Sequence, residues 1–131
     1  MSFELAMLAA ASALGLAHIV LASHSASVQR GYRWTASPRD EPLPPLTGVA
    51  GRFARASTNF GETFPLFVAA VLMAHLGNVH DWRTVWGSGL YVGARLIYLP
   101  LYAGGIYLVR SLVWNVAIGG IALLIWAALT Q

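Results

Sequence analysis

Apolar residues run through the chain in four long stretches separated by short clusters of charge. The first extends from Leu5 to Gln29 between Glu4 and Arg30, and the second begins near Thr58 and continues through the apolar run Phe64 to Leu76. The third follows Arg83 and must include Arg95, because neither side of that arginine is long enough to stand alone; the fourth follows Arg110. A helix needs about 20 mainly apolar residues to cross about 30 Å of hydrocarbon. The pattern predicts four membrane-spanning helices, near residues 3–29, 48–77, 84–104 and 108–130, in one domain covering 1–131. A cleavable secretory signal is the weaker reading of the first stretch, because the start carries Glu4 rather than a cation and the apolar run is too long.

Residues 30–47 are expected to form one long loop, since Pro38, Pro42, Pro44 and Pro45 remove backbone donors and oppose a helix. The loop carries Arg30, Arg33 and Arg39, whereas the segment from Asn78 to Arg83 carries one arginine and Asp81. By the positive-inside rule the long loop is cytoplasmic and both termini lie on the other side.

Composition narrows the function classes. Hydrophobic residues make up 57% of the chain and charged ones 10%, against about 25% charged in a soluble domain. Together with a mean hydropathy of +0.63, this excludes an ordinary soluble globule. The absence of cysteine removes disulfide scaffolds and cysteine zinc sites. The net charge of +3 is that of eight arginines, with no lysine, against five acidic residues. No solvated basic tract follows a phosphate backbone, so no nucleic-acid partner is expected.

The informative residues are ionisable groups at membrane depth. Arg52, Arg55, Asn59 and Glu62 fall at i, i+3, i+7 and i+10, and at about 100° per residue they occupy a sector of roughly 80°. Arg95, Tyr98 and Tyr102 repeat the device on the third helix around Pro100, where a local kink is expected, and the fourth helix opens with Arg110 and Ser111. At about 1.5 Å per residue Glu62 lies roughly 15 Å along its helix from Arg52, and Arg95 about 18 Å after Arg83 in the opposite direction. The polar groups of three helices therefore converge in the cytoplasmic half. Each such charge costs about 2.5 to 3.5 kcal/mol near a helix centre, so the stripes should face inward. An internal network pairing Arg55 with Glu62, and Arg95 with a neighbour, would only fix helix registry. Cations outnumber the one carboxylate at that depth, Glu62, and this surplus predicts an anionic guest.

Other features carry less. His18, His24, His75 and His80 lack metal-ligand spacing, so no metal is expected. Gly89 and Gly93 form a G-x-x-x-G, a sign of close helix packing. The tryptophans suit an interfacial belt.

The pattern Arg-x-x-Arg-Ala-x-x-x-Asn-x-x-Glu-x-x-Pro from Arg52 through Pro65, with Ala94-Arg95-Leu96-Ile97-Tyr98, Tyr102 and Arg110-Ser111, resembles the MAPEG family, the membrane-associated proteins in eicosanoid and glutathione metabolism, in its bacterial branch. The resemblance implies a four-helix membrane bundle assembled as a homotrimer in a bacterial inner membrane, with glutathione as cosubstrate held between subunits in the cytoplasmic half. It implies that Arg55, Asn59 and Glu62 hold the peptide, that Tyr98 and Tyr102 add hydroxyl contacts, and that Arg30 comes from the adjacent subunit. Arg110 would stabilise the thiolate with Ser111 as a second donor, while Arg52 and Arg95 play supporting ionic roles. The implied activity is a transferase or peroxidase acting on lipophilic electrophiles or hydroperoxides. A cation beside sulfur independently favours the reactive thiolate. Thr63 stands where an aromatic residue often follows the family's glutamate, which bears on substrate choice. Two further readings are a small proton-coupled exporter using Glu62 and a non-catalytic protein binding glutathione or lipid.

Overall fold

The computed structural model describes all 131 residues, and every regular element in it is a helix. In chain order these are α1 (Phe3–Arg30), α2 (Tyr32–Ala36), α3 (Gly48–Leu76), α4 (Trp82–Ala103) and α5 (Tyr107–Leu129). The segment expected to be loop throughout thus contains a short helix. Its prolines begin only at Pro38, so nothing removes a backbone donor from Tyr32–Ala36. Gly31, at φ 97°, supplies the left-handed residue that separates α1 from α2. The whole excursion is closed at its base by Gln29, whose side chain donates to the Thr47 carbonyl at 3.1 Å and accepts from the Thr47 amide at 3.0 Å.

The helices α1, α3 and α5 are each long and apolar enough to cross a membrane. The 22-residue α4 is not among them; it carries Arg83, Thr84, Ser88 and Arg95. Both α3 and α4 continue through an internal proline, Pro65 and Pro100. The core is small-chained: Ala11, Ala70, Ala94 and Ala117 surround Phe67, Val71, Tyr91, Ile121 and Leu124. Large apolar side chains such as Leu16, Ile19, Leu66, Leu76, Trp86, Leu96 and Leu112 face outward instead. That inversion is what a hydrocarbon solvent permits, because lipid offers Leu the same apolar surroundings as a core and small residues let helices approach. The closest approach joins α4 and α5 at Gly87 and Gly120: a Cβ on either would sit 2.8 or 2.6 Å from the other's carbonyl oxygen. The Gly89/Gly93 pair is not a close contact. A Cβ at Gly93 would meet open space and one at Gly89 only the Phe3 ring at 3.7 Å.

One end of the bundle is bound by polar contacts. Asp81 caps α4 in a capping box, accepting from the Arg83 amide at 2.8 Å while Thr84 Oγ1 accepts from the Asp81 amide at 3.1 Å. Glu4, 3% exposed, takes a hydrogen bond from Thr84 Oγ1 at 2.5 Å and faces His80 Nδ1 at 3.4 Å. Arg83 pairs with Asp81 at 2.6 Å and also donates to Thr130 at the end of α5. The start of α1, the α3–α4 turn and the end of α5 are thereby tied together.

Candidate functional site

Toward the other end of the bundle the polar stripe of α3 faces α4 and α5. Arg55, Asn59 and Glu62 from α3, Tyr98 and Tyr102 from α4 and Arg110 from α5 line one cavity of about 330 Å³, with Ala54 and Thr58 completing it. Helical spacing explains the alignment, since positions three and four apart share a face on each element.

The cavity is organised around Tyr102. Arg55 Nε donates to its hydroxyl at 3.2 Å, and the Arg110 guanidinium lies 4.7 Å from its ring centroid. The Tyr98 ring is 5.5 Å from that of Tyr102. Guanidinium stacking on an aromatic face leaves the N–H edges free for an anion.

Behind the wall lies Arg95, fully buried. Its Nη1 donates to Asn59 Oδ1 at 2.6 Å, and its guanidinium lies 4.3 Å from the Tyr98 centroid and 5.2 Å from that of Phe60. Phe60 in turn stacks on His18 at 4.7 Å, whose Nδ1–H donates to the Leu14 carbonyl at 2.9 Å.

The Arg55–Glu62 ion pair that the sequence allows is not formed. The chain's Arg83–Asp81 ion pair and its His80–Glu4 contact both lie at the opposite end. Seven residues separate Arg55 from Glu62, a rise of about 10.5 Å, and Arg55 reaches across to Tyr102 instead. Glu62 is exposed and makes no hydrogen bond within the chain.

Not every candidate residue enters the cavity. Arg52 donates to the Ala103 carbonyl at 3.1 Å, a cation at the negative end of α4. Ser111 gives its hydroxyl to the Tyr107 carbonyl at 3.0 Å. Arg30 donates to the Pro44 carbonyl at 3.0 Å, stacks on Trp34 at 4.9 Å and belongs to a separate cavity with Arg33 and Arg39. Thr63 faces the core, where Tyr91 OH lies 2.9 Å from its Oγ1 and Phe60 carbonyl accepts from it at 3.2 Å. That explains the hydroxyl at this position: Tyr91 is buried against Phe67 at 4.1 Å and its own hydroxyl needs a partner. The Arg95–Asn59 bond and the Phe60 stack on His18 lie directly behind the cavity, and periodicity does not reveal them because their partners sit on different helices.

Apolar helices of spanning length around an arginine- and tyrosine-walled cavity define an integral membrane protein with a polar cavity. Residues 7–130 match the MAPEG family, and the chain belongs to that family. The family includes glutathione transferases and peroxidases as well as members without enzymatic activity. None of the curated proteins compared with the chain matches it.

Proposed function

We propose that the protein is a glutathione-dependent membrane transferase or peroxidase that conjugates lipophilic electrophiles or reduces hydroperoxides. The observation that carries this reading is the unpaired state of the cavity: Arg55, Arg110 and Glu62 line it without forming an ion pair with one another. Glutathione brings two carboxylates, an ammonium and a thiol. Arginines with one glutamate are complementary to that set. Arg55, Asn59 and Glu62 hold the peptide, the Tyr98 and Tyr102 hydroxyls add contacts, and Arg110 lies against the sulfur and favours its thiolate. Ser111 serves as a second donor there once it releases Tyr107. Arg52 and Arg95 support the site from outside it. The thiolate then attacks the electrophilic carbon, forming the C–S bond as the leaving group departs with the electron pair.

In this reading four helices span the membrane, with α4 enclosed by its neighbours in a homotrimer and Arg30 contributed by the adjacent subunit. The arginine-rich segment 30–47 is cytoplasmic, the site opens to the cytoplasmic half of a bacterial inner membrane, and both termini lie on the other side. The outward apolar grooves admit the lipophilic substrate.

The exposed Glu62 carboxylate also suits a proton-coupled exporter, although Arg55 and Arg110 in the same cavity repel a cationic cargo. Titrating glutathione against the purified protein separates the two. A glutathione site gives saturable thermal stabilisation, about 2.7 kcal/mol at a hundred times Kd, and an exporter gives none. Conjugation and hydroperoxide reduction assayed side by side then assign the reaction.

A further inference from the structure

Arg95 heads the fully buried side chains by size, yet no carboxylate pairs with it. Two of its nitrogens, Nε and Nη2, have no partner at all, and its one hydrogen bond goes to Asn59. A guanidinium has only donors. The Asn59 atom that faces it at 2.6 Å is therefore the carbonyl oxygen, and the amide cannot be reversed without opposing N–H to N–H. Asn59 also lines the cavity, and its Nδ2 makes no hydrogen bond within the chain. Unlike the Arg95 nitrogens, Nδ2 is not sealed from the surroundings.

We propose that Arg95 is a positioning residue that fixes Asn59 as a one-way donor into the cavity, so that this corner accepts only a carboxylate or carbonyl oxygen. An ammonium is turned away from it and left to Glu62, the cavity's carboxylate, three residues further along α3. The inference rests on the glutathione reading and deepens it by giving the site a polarity: the acceptor end of the ligand lies at Arg55 and Asn59, the ammonium end at Glu62. It also gives the buried cation a function. A ligand carboxylate bound by Asn59 becomes the counter-charge of Arg95 through a single intervening amide, and hydrogen bonds aligned in this way strengthen one another.

The test uses the full chain in detergent, reduced glutathione as the probe, and two readouts, calorimetric titration and thermal denaturation. Asn59→Asp keeps shape but offers Arg95 a carboxylate and shows the cavity an acceptor. It should raise the melting temperature by a few degrees, because an unpaired buried cation gains a partner. The same variant should lose about tenfold or more in glutathione affinity. Arg95→Met should weaken binding comparably, and adding Asn59→Ala to Arg95→Met should cost little more, since both act through one bond. A purely structural Arg95 would not give opposite signs for stability and affinity in Asn59→Asp. The inference is overturned if Asn59→Asp leaves the melting temperature unchanged or lowers it, or if Arg95→Met binds glutathione like the wild type. Should the wild type itself not bind glutathione, the proposed function falls; the thermal readout of Asn59→Asp still decides whether Arg95 orients Asn59.

Discussion

The two ends of the bundle use similar residues to opposite effect. Around the α3–α4 turn, Glu4 finds Thr84 and His80, Asp81 finds Arg83, and Arg83 also reaches Thr130. Around the arginine cavity, Arg55, Glu62 and Arg110 stand within one lining and none is in an ion pair. Chains that bury charge without function tend to pair it, because an unpartnered ion in an apolar setting costs several kcal/mol. The first end follows that rule and behaves as a clasp. The second end leaves its charges open and unpaired, and in the proposed function these are the groups that an anionic, thiol-bearing peptide would engage.

The largest effect should come from the open end. Arg110→Ala should abolish the thiolate absorbance that develops when glutathione is added, with the protein's size in detergent unchanged; an undiminished absorbance would remove Arg110 from the sulfur. Next, Glu62→Gln keeps the shape and removes the charge, and should weaken glutathione about 10- to 100-fold, the range of a lost charge-assisted bond. Unaltered affinity would mean that both ends of the bundle are merely structural. At the closed end the signature reverses. Glu4→Ala removes the acceptor that ties Thr84 and His80 to α1, leaving the Thr84 hydroxyl its bond to the Asp81 carbonyl, and should cost about 0.5 to 1.5 kcal/mol of stability, read as a lower melting temperature, while glutathione affinity stays at the wild-type value.

The difference between the ends also explains how far the sequence can be read. The all-helical membrane character is legible because hydrocarbon forbids unsatisfied backbone, so charge-free runs of sufficient length carry the message directly. The family is legible in Arg52 through Pro65, where four polar residues repeat on one helical face. Contacts made across helices are not. Glu4 and Thr84 are 80 residues apart, and no local pattern links them. Periodicity turns Arg95 inward but does not say that its partner is an amide rather than a carboxylate. Ser111 follows Arg110 by about 100° of helical rotation, and nothing in that spacing shows that its hydroxyl turns back to the Tyr107 carbonyl. The short helix α2 is hidden for a different reason: the prolines from Pro38 to Pro45 outweigh a short helix just ahead of them.

The smallest effect concerns protons at the closed end. Hydrogen bonds from the Arg83 side chain hold the Asp81 carboxyl below its ordinary value of 3.8, with desolvation opposing them. A depressed folded-state pKa means that the unfolded chain takes up the proton first as acid is added. The contribution of Asp81 is therefore complete above the unfolded value and disappears as the pH falls through the lower, folded one. Asp81→Asn retains an N-cap acceptor but has nothing to titrate. Its melting temperature at neutral pH should be slightly below that of the wild type, and the gap should begin to narrow below about pH 4, the ordinary carboxyl range, and close only once the pH has fallen through the lower, folded-state value. Comparing the two proteins at each pH cancels every other titrating group. A gap that persists unchanged into acid would show that Arg83 does not hold this carboxylate, and the clasp would then rest on the Glu4 contacts and the Arg83–Thr130 bond.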